Sequence, residues 1–514
     1  MTPRLVAISA LLGLTGTAAC SLVIGLGDHE PYPAEGGVVE ASTPDSTTDA
    51  GLDAHDAADV VIEAAPETST TVCEAGVLCG DACVDLQTDE SNCGTCGTSC
   101  EASTCYRATC AGDTVTQLTA GNGHACALMR AGDVWCWGAD DQGQILGPAD
   151  AAACPLGACR PSPVVIPGLP NAVQVSAGGN QTCAIDADGG VWCWGANPSA
   201  GLGHAPAGDP TCTTADASVP CNPQPTKVAG LPGPAAAVTS GQTSFACALV
   251  NTGVYCWGDD SYAQLGPAGS DASSPTPLFV TGGASAVSAG FSHVCALSGG
   301  AVTCWGTNGF GELGHAPGLG DQTCAGGTPC DPSPHSITLS GVTAIHAGLE
   351  ASCFVANGGV YCVGDNQVGQ LGQGTDGPGA NPTPSPQTIT TGTVSVDLGS
   401  QTACAIVPGS NLFCWGDDET HQTTASTDPS CTGGLPCTLD GTTVPLSNVV
   451  EVRAGPYSTF ARTSDGGIWA WGNNGSGELG HAPGDGGDEG GCDPVAFPGG
   501  TVCNAVPSPV LGLP

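Results

Sequence analysis

Three copies of the pentapeptide Leu-Gly-His-Ala-Pro set an imidazole a few residues ahead of a carboxylate: His204 before Asp209, His315 before Asp321 and His481 before Asp488, each pair followed by a cysteine. Imidazole beside carboxylate is a donor set for a divalent metal or a polar ligand. The same residues also suit turn chemistry copied along with a repeat. The three copies fall in different units of the repeat described below and cannot easily converge, so the turn reading is favoured and no metal or cofactor is expected. The run Gly484 to Asp493 offers oxygens to Ca²⁺ from Asp485, Asp488, Glu489 and Asp493. It lacks the spacing of a known calcium loop and reads as a solvated acidic loop. Six Trp-Gly dipeptides begin at Trp137, Trp194, Trp257, Trp305, Trp415 and Trp471 and read as core before ligand-stacking surface. There is no G-x-S-x-G elbow, H-E-x-x-H helix or phosphate loop, so no enzyme is expected.

The residues with most covalent chemistry are the 31 cysteines. Twelve fall at fixed places in a repeat: Cys126 with Cys136, Cys183 with Cys193, Cys247 with Cys256, Cys295 with Cys304, Cys353 with Cys362 and Cys404 with Cys414. Between Cys295 and Cys304 a Gly299-Gly300 turn sets the two opposite each other, and Asn357-Gly358 does the same for Cys353 and Cys362. Counted outward from the turn, each pair falls on a non-hydrogen-bonded site, where side chains approach within disulfide reach. The seventh unit has Phe460 and Ala470 instead, a joint loss expected of partners. Ten more cysteines sit in variable loops: Cys154 with Cys159, Cys212 with Cys221, Cys324 with Cys330, Cys431 with Cys437 and Cys492 with Cys503. Eight, Cys73, Cys79, Cys83, Cys93, Cys96, Cys100, Cys105 and Cys110, crowd a segment too small for a core, where disulfides are favoured over zinc or redox use of Cys93 and Cys96. Only Cys20 is left over.

The elements that must position these residues recur. An Ala/Ser/Leu-Gly dipeptide returns at Gly121, Gly178, Gly241, Gly290, Gly348, Gly399 and Gly455, marking seven units of about 49 to 63 residues. Each reads V-x-V-x-A-G, then C-A-L, G-x-V-x-C-W-G, G-x-L-G, a variable loop and P-x-P. In the sixth unit G-x-L-G becomes His421-Gln422-Thr423-Thr424, where the turn is expected to be remodelled. The composition, with 80 Gly and 41 Pro, suits short strands and turns. Seven Lys and Arg against 48 Asp and Glu give a formal charge of -41, which excludes phosphate backbones and anionic lipid as partners.

The motifs A-G-x-x-H-x-x-A-L, G-x-V-x-x-W-G and G-x-L-G closely resemble the repeats of the regulator of chromosome condensation family. The resemblance implies an all-β, seven-bladed β-propeller over residues 114–514. Residues 73–112, with C-G-D-A-C-V-D-L-x-T-D-x-x-N-C-G-x-C-G-x-x-C, resemble the plant stigma-specific cysteine-rich family. Residues 20–72, acidic and poor in apolar groups, read as a disordered tether. Residues 1–19 read as a signal peptide whose end, Thr-Ala-Ala before Cys20, resembles a bacterial lipobox, with Thr17 where an aliphatic residue is usual. That resemblance implies a lipidated Cys20 and, from Ser21, the outer membrane or cell surface of a Gram-negative bacterium. The expected function is a monomeric, non-catalytic surface scaffold whose disulfide-braced loops bind a protein or glycan. Guanine-nucleotide exchange, by family analogy, and inhibition of an exported enzyme, by resemblance to propeller inhibitors of beta-lactamase, are the alternatives.

Overall fold

The computed structural model describes residues 77–79, 82–84, 96, 105–106 and 109–110, then 114–513 with breaks at 215–217, 270–271, 378, 380, 387–391, 394, 424–430, 432–435 and 491–501. The expected signal peptide, Cys20 and the tether lie outside the described residues. In the small module Val77–Cys79 pairs antiparallel with Ala82–Val84, and Cys105–Tyr106 with Thr109–Cys110. Cys79 is bonded to Cys96, which gives Cys96 a partner other than Cys93.

Residues Asp113–Pro514 belong to a separate compact unit of seven antiparallel sheets, each built from consecutive strands of one repeat. In the first blade these are Val115–Ala120, His124–Met129, Val134–Ala139 and Gly157–Val165. The first strands of neighbouring blades meet around the axis. There Ala177 N donates to Thr119 Oγ1 at 2.8 Å, Ser240 N to Ser176 Oγ at 2.9 Å and Ala347 N to Ser288 Oγ at 3.0 Å. Small residues permit this approach. A Cβ on Gly178 would lie 2.2 Å from the Ser240 carbonyl oxygen. The fourth strand is the outer edge, and its P-x-P prolines, such as Pro161 and Pro163, lack the N–H that would invite another strand.

The second and third strands form the hairpin read from the sequence. Leu297 faces Val302 and Cys295 faces Cys304, with Gly299 and Gly300 at φ 57° and 83° as a two-residue turn needs. Disulfides join Cys126 with Cys136, Cys183 with Cys193 and Cys247 with Cys256 in blades one to three. They join Cys295 with Cys304, Cys353 with Cys362 and Cys404 with Cys414 in blades four to six. Each pair is directly opposed in the register, and its Cα atoms stand 4.0 to 4.1 Å apart, the spacing of non-hydrogen-bonded sites. The twelve cysteines thus have the partners expected of them. All twelve are fully buried between the blades, so they serve as covalent core of the scaffold and are closed to any ligand. In blade seven Phe460 faces Ala470 and meets Trp137 edge-on, 6.2 Å between ring centroids. Four loops also fold back as a short fifth strand on the outer edge, at Ala152–Cys154, Thr211–Thr213, Gln322–Thr323 and Glu489–Gly490, which the sequence pattern does not reveal.

Beyond the axial contacts, one further bond recurs from each blade to the one before. The indole N–H of Trp194 donates to Gln144 O at 2.9 Å, Trp257 to Gly201 O at 3.0 Å and Trp305 to Gln264 O at 3.0 Å. Trp415 reaches Gln370 O at 2.9 Å and Trp471 reaches Gln422 O at 2.8 Å. Blade five has Val363, and there the facing Ser352 Oγ donates to Glu312 O at 3.2 Å. Trp137 closes the ring by donating to Glu478 O of blade seven at 2.8 Å. The last strand, Val502–Pro509, pairs within its own blade, so side chains and not an exchanged strand make the closure. Leu118 N also donates to Glu451 Oε1 at 3.0 Å, and Arg453 Nε to Leu118 O at 2.9 Å.

Trp137→Phe removes the closing donor and leaves a buried carbonyl without a partner, at an expected cost of about 2 to 4 kcal/mol once lost packing is added. The denaturation midpoint should fall and amide exchange should quicken first in blades one and seven. An unchanged midpoint would show that the indole bond does not hold the closure.

Candidate functional site

Strand alternation puts two sets of connections at one end of the propeller: the turn after each first strand and the G-x-L-G turn with its variable loop. The hairpin turns lie at the other end. At that opposite end an open cleft is lined by Asp188, Gly189, Gly190, Lys227, Leu231 and Pro234, and beside it Asp186 accepts from Trp192 Nε1 and Gly190 N, each at 2.7 Å, with Lys227 Nζ 3.9 Å away. Chemistry-bearing side chains concentrate on the loop-bearing face.

Every G-x-L-G turn is built alike. An Asp or Asn three residues after the Trp position accepts from a backbone N–H five residues on, at 2.9 to 3.2 Å: Asp140, Asn197, Asp260, Asn308, Asn366, Asp418 and Asn474. Unit six keeps this bond from Thr423 N to Asp418, and His421 adopts φ 61° where other units have Gly or Ala. Over the described residues 421–423 the turn is therefore not remodelled, because the hydrogen-bonding roles survive the change of letters; Thr424 lies outside the described residues.

In units two, four and seven this Asn also organises the His/Asp pair. Asn197 Nδ2 donates to Asp209 at 2.6 Å, Asn308 to Asp321 at 3.0 Å and Asn474 to Asp488 at 2.7 Å. His204 Nε2 lies 2.9 Å from Asp209, His315 Nε2 2.7 Å from Asp321 and His481 Nε2 3.7 Å from Asp488. The pairs brace three separate loops and do not converge. The three Asn residues were missed in the sequence, although W-G-x-N precedes every Leu-Gly-His-Ala-Pro. Asp488 also accepts from Gly484 N at 2.9 Å, while Asp485 is exposed. Asp493 lies outside the described residues, and for Glu489 only the backbone is described. All six Trp-Gly indoles are fully buried, so they are blade core.

Cys154–Cys159, Cys212–Cys221, Cys324–Cys330 and Cys431–Cys437 staple four of the loops. Cys503 is disulfide-bonded, and Cys492 lies outside the described residues. Exposed apolar side chains stand on two loops, Leu156 at 51% and Leu319 at 73% exposure.

The same face carries carboxyls that hold protons tightly. Burial pushes Glu312 up to about 7 and Glu350 up to about 8, with Asp365 adding repulsion to both. Burial likewise raises Glu478 to about 8, with repulsion from Asp488 adding to it. Burial also raises Asp141, Asp259 and Asp365, and lifts Asp417 well above the usual range with help from Glu419 and Asp418. Burial depresses two histidines that bond to the next blade. His124, 2.9 Å from Thr182 Oγ1, falls to about 4, and His293, 2.8 Å from Ser352 Oγ, to about 3.

These features define a closed repeat propeller that segregates a regular scaffold from variable, braced loops. The chain belongs to the RCC1-like domain family: residues 88–444 match that domain and residues 449–478 match the regulator of chromosome condensation (RCC1) repeat. It is 32% identical over 270 residues to human E3 ubiquitin-protein ligase HERC2, a stretch covering 50% of this chain but 5% of that protein. To the Drosophila melanogaster regulator of chromosome condensation it is 30% identical over 109 residues, covering 21% of this chain and 18% of that protein. Among solved structures, yeast RCC1 (Prp20) bound to Kap60 is similar at TM-score 0.59 and 20% identity, covering 74% of this chain and 84% of that one. Human WBSCR16 is similar at TM-score 0.56 and 20% identity, covering 74% and 94%. These likenesses show the fold.

The raised carboxyls set a pH dependence. Folded Glu312, Glu350 and Glu478 retain protons that the unfolded chain releases above about 4.5, so their contribution to stability falls as pH rises toward about 8. His124 and His293 act oppositely, losing their contribution as pH falls below about 6.5. Between about 6.5 and 8 only the carboxyls of this set titrate, so calorimetry should give a lower midpoint at the higher pH. Glu478→Gln, which copies the Gln of other units, should flatten that slope. An equal slope in wild type and variant would contradict the assignment.

Proposed function

We propose that this protein is an exported, lipid-anchored scaffold that binds a protein partner through the loop-bearing face of its propeller. The observation that carries the reading is the placement of the long loops of units one, two, four, six and seven at one end of a rigid ring, with disulfides bracing those of units one, two, four and six. Bracing lowers the ordering entropy lost on binding. Leu156 and Leu319 supply apolar anchors on these loops, and the net charge of -41 favours a partner whose contacting surface is basic. The paired cysteines suit an oxidising compartment, and Cys20, the residue left unpaired by parity, suits acylation.

Replacing residues 155–158 and 325–329 by Gly-Ser linkers together with Leu319→Ser should reduce capture of the partner from the source organism's surface extract at least tenfold while the thermal midpoint stays within a few degrees. Wild-type capture should weaken as salt rises. Unchanged capture by a folded variant would remove these loops from the site. Capture of a glycan, of a small GTPase or of an exported enzyme would favour the corresponding alternative. Mass spectrometry of the mature N-terminal peptide should show an acylated Cys20; an unmodified Cys20 or cleavage elsewhere would refute the anchor.

A further inference from the structure

Blade four differs from its two look-alikes in one respect. Its outer strand, Pro329–Ser336, carries Asp331 and His335, and with His315 of the adjoining loop these place two imidazoles and a carboxylate within 4.8 Å of one another. The His315 and His335 rings lie 4.1 Å apart between centroids. At the corresponding positions blade two has Asn222 and Thr226, which bond to each other at 3.0 Å, and blade seven has Asn504 and Ser508. The shared Leu-Gly-His-Ala-Pro loop explains His315 and Asp321. Asp331 makes the turn bond of its counterparts, accepting from Ser333 N at 2.8 Å as Asn222 accepts from Gln224 N and Asn504 from Val506 N, so that bond explains an acceptor at 331 but neither its charge nor His335.

His315 is set up as a metal ligand would be. Its side chain is only 9% exposed, its Nε2 is held by Asp321 at 2.7 Å, and its Nδ1 is buried without a hydrogen-bond partner. Asp321 is itself fixed by Asn308 Nδ2 at 3.0 Å and Gly318 N at 2.7 Å. A carboxylate that orients one ring nitrogen and leaves the other free is the usual outer support of a metal-bound histidine. We infer that His315, Asp331 and His335 form a binding site for one late first-row divalent cation, with Asp321 as the positioning residue behind His315. Two imidazoles and one carboxylate suit Zn²⁺, Ni²⁺ or Cu²⁺ over Ca²⁺ or Mg²⁺. Three protein ligands leave a fourth position for water or for a donor from a partner. Metal–ligand bonds of about 2.1 Å require ligand atoms about 3.4 Å apart, so side-chain rotation must contract the widest separation in the cluster by up to about 1.4 Å. A bound ion would tie the start of the Cys324–Cys330 loop to the outer strand.

The test uses the full oxidised chain, shown to be free of reactive thiol, titrated calorimetrically with Zn²⁺ at neutral pH. Wild type should bind one ion and gain thermal midpoint with added metal. Asp331→Asn with His335→Thr, which copies blade two, should fold normally and bind at least a hundredfold more weakly, whereas His204→Gln should bind as wild type does. The reverse graft, Asn222→Asp with Thr226→His, should create a second site. No binding by wild type, or equal binding by the blade-four double variant, would overturn the assignment. With Cu²⁺ as probe, the electron paramagnetic resonance spectrum should show nitrogen coupling that is lost in the same double variant; its persistence would likewise count against the site.

Discussion

The blade-to-blade contact centres on one repeated hydrogen bond, which in six of the seven blades runs from an indole N–H in the third strand to the turn carbonyl of the blade before. A blade alone cannot bury its own face, as in other repeat architectures, so the inter-blade contact must be specified in every unit. The Trp-Gly dipeptide meets two demands at once. Trp fills the gap between blades and donates, while the following Gly lets the second strand pass. A Cβ on Gly138 would lie 2.3 Å from the Gly123 carbonyl oxygen. A net bond contributes only about 1 kcal/mol, but an unmade one in this dry setting costs about 1 to 3 kcal/mol. Blade five shows which half of the demand is stricter. Val363 forfeits the donor, and Ser352, its cross-strand neighbour, supplies one to the same kind of carbonyl.

Disulfides do not share this task. The six hairpin bonds each join second and third strands of one blade, so they stiffen a blade without attaching it to the next. The described loop bonds fix variable segments to the edge of their own unit. Blade seven can lose its hairpin bond because Phe460 uses the space to pack on Trp137 across the closure. Covalent links thus act within repeats, and hydrogen bonds and packing act between them.

This division explains what could be read from the sequence. Strand alternation, two-residue turns and the opposed cysteines are local, and the period of two fixes which side chains face each other. Contacts between repeats are not local. Nothing in W-G alone says that the indole reaches a turn some 40 to 60 residues earlier, or that Asp331 and His335 come beside His315. The fifth strands were invisible for a related reason, since two or three residues such as Gln322 and Thr323 carry no period. Unit six keeps the turn bond over residues 421–423 although Leu is absent from it. What the turn requires is an acceptor, Asp418, and a residue tolerating left-handed backbone, His421.

The carboxyls of the loop-bearing face follow from the same turn. In four units a Gln side chain accepts from the N–H two residues before it: Gln144, Gln264, Gln370 and Gln422. Glu312 and Glu478 replace it and keep that bond, each at 2.7 Å. A protonated Glu offers a donor beside its acceptor as the Gln amide does, an ionised one offers acceptors alone, and burial favours the neutral form. At neutral pH this face is therefore less negative than its formal charge. A cation brought against it, whether an ion or a basic side chain, would favour the ionised carboxyls and release protons. Any such change of charge at this surface would thus be coupled to pH through residues that belong to the scaffold and not to the variable loops.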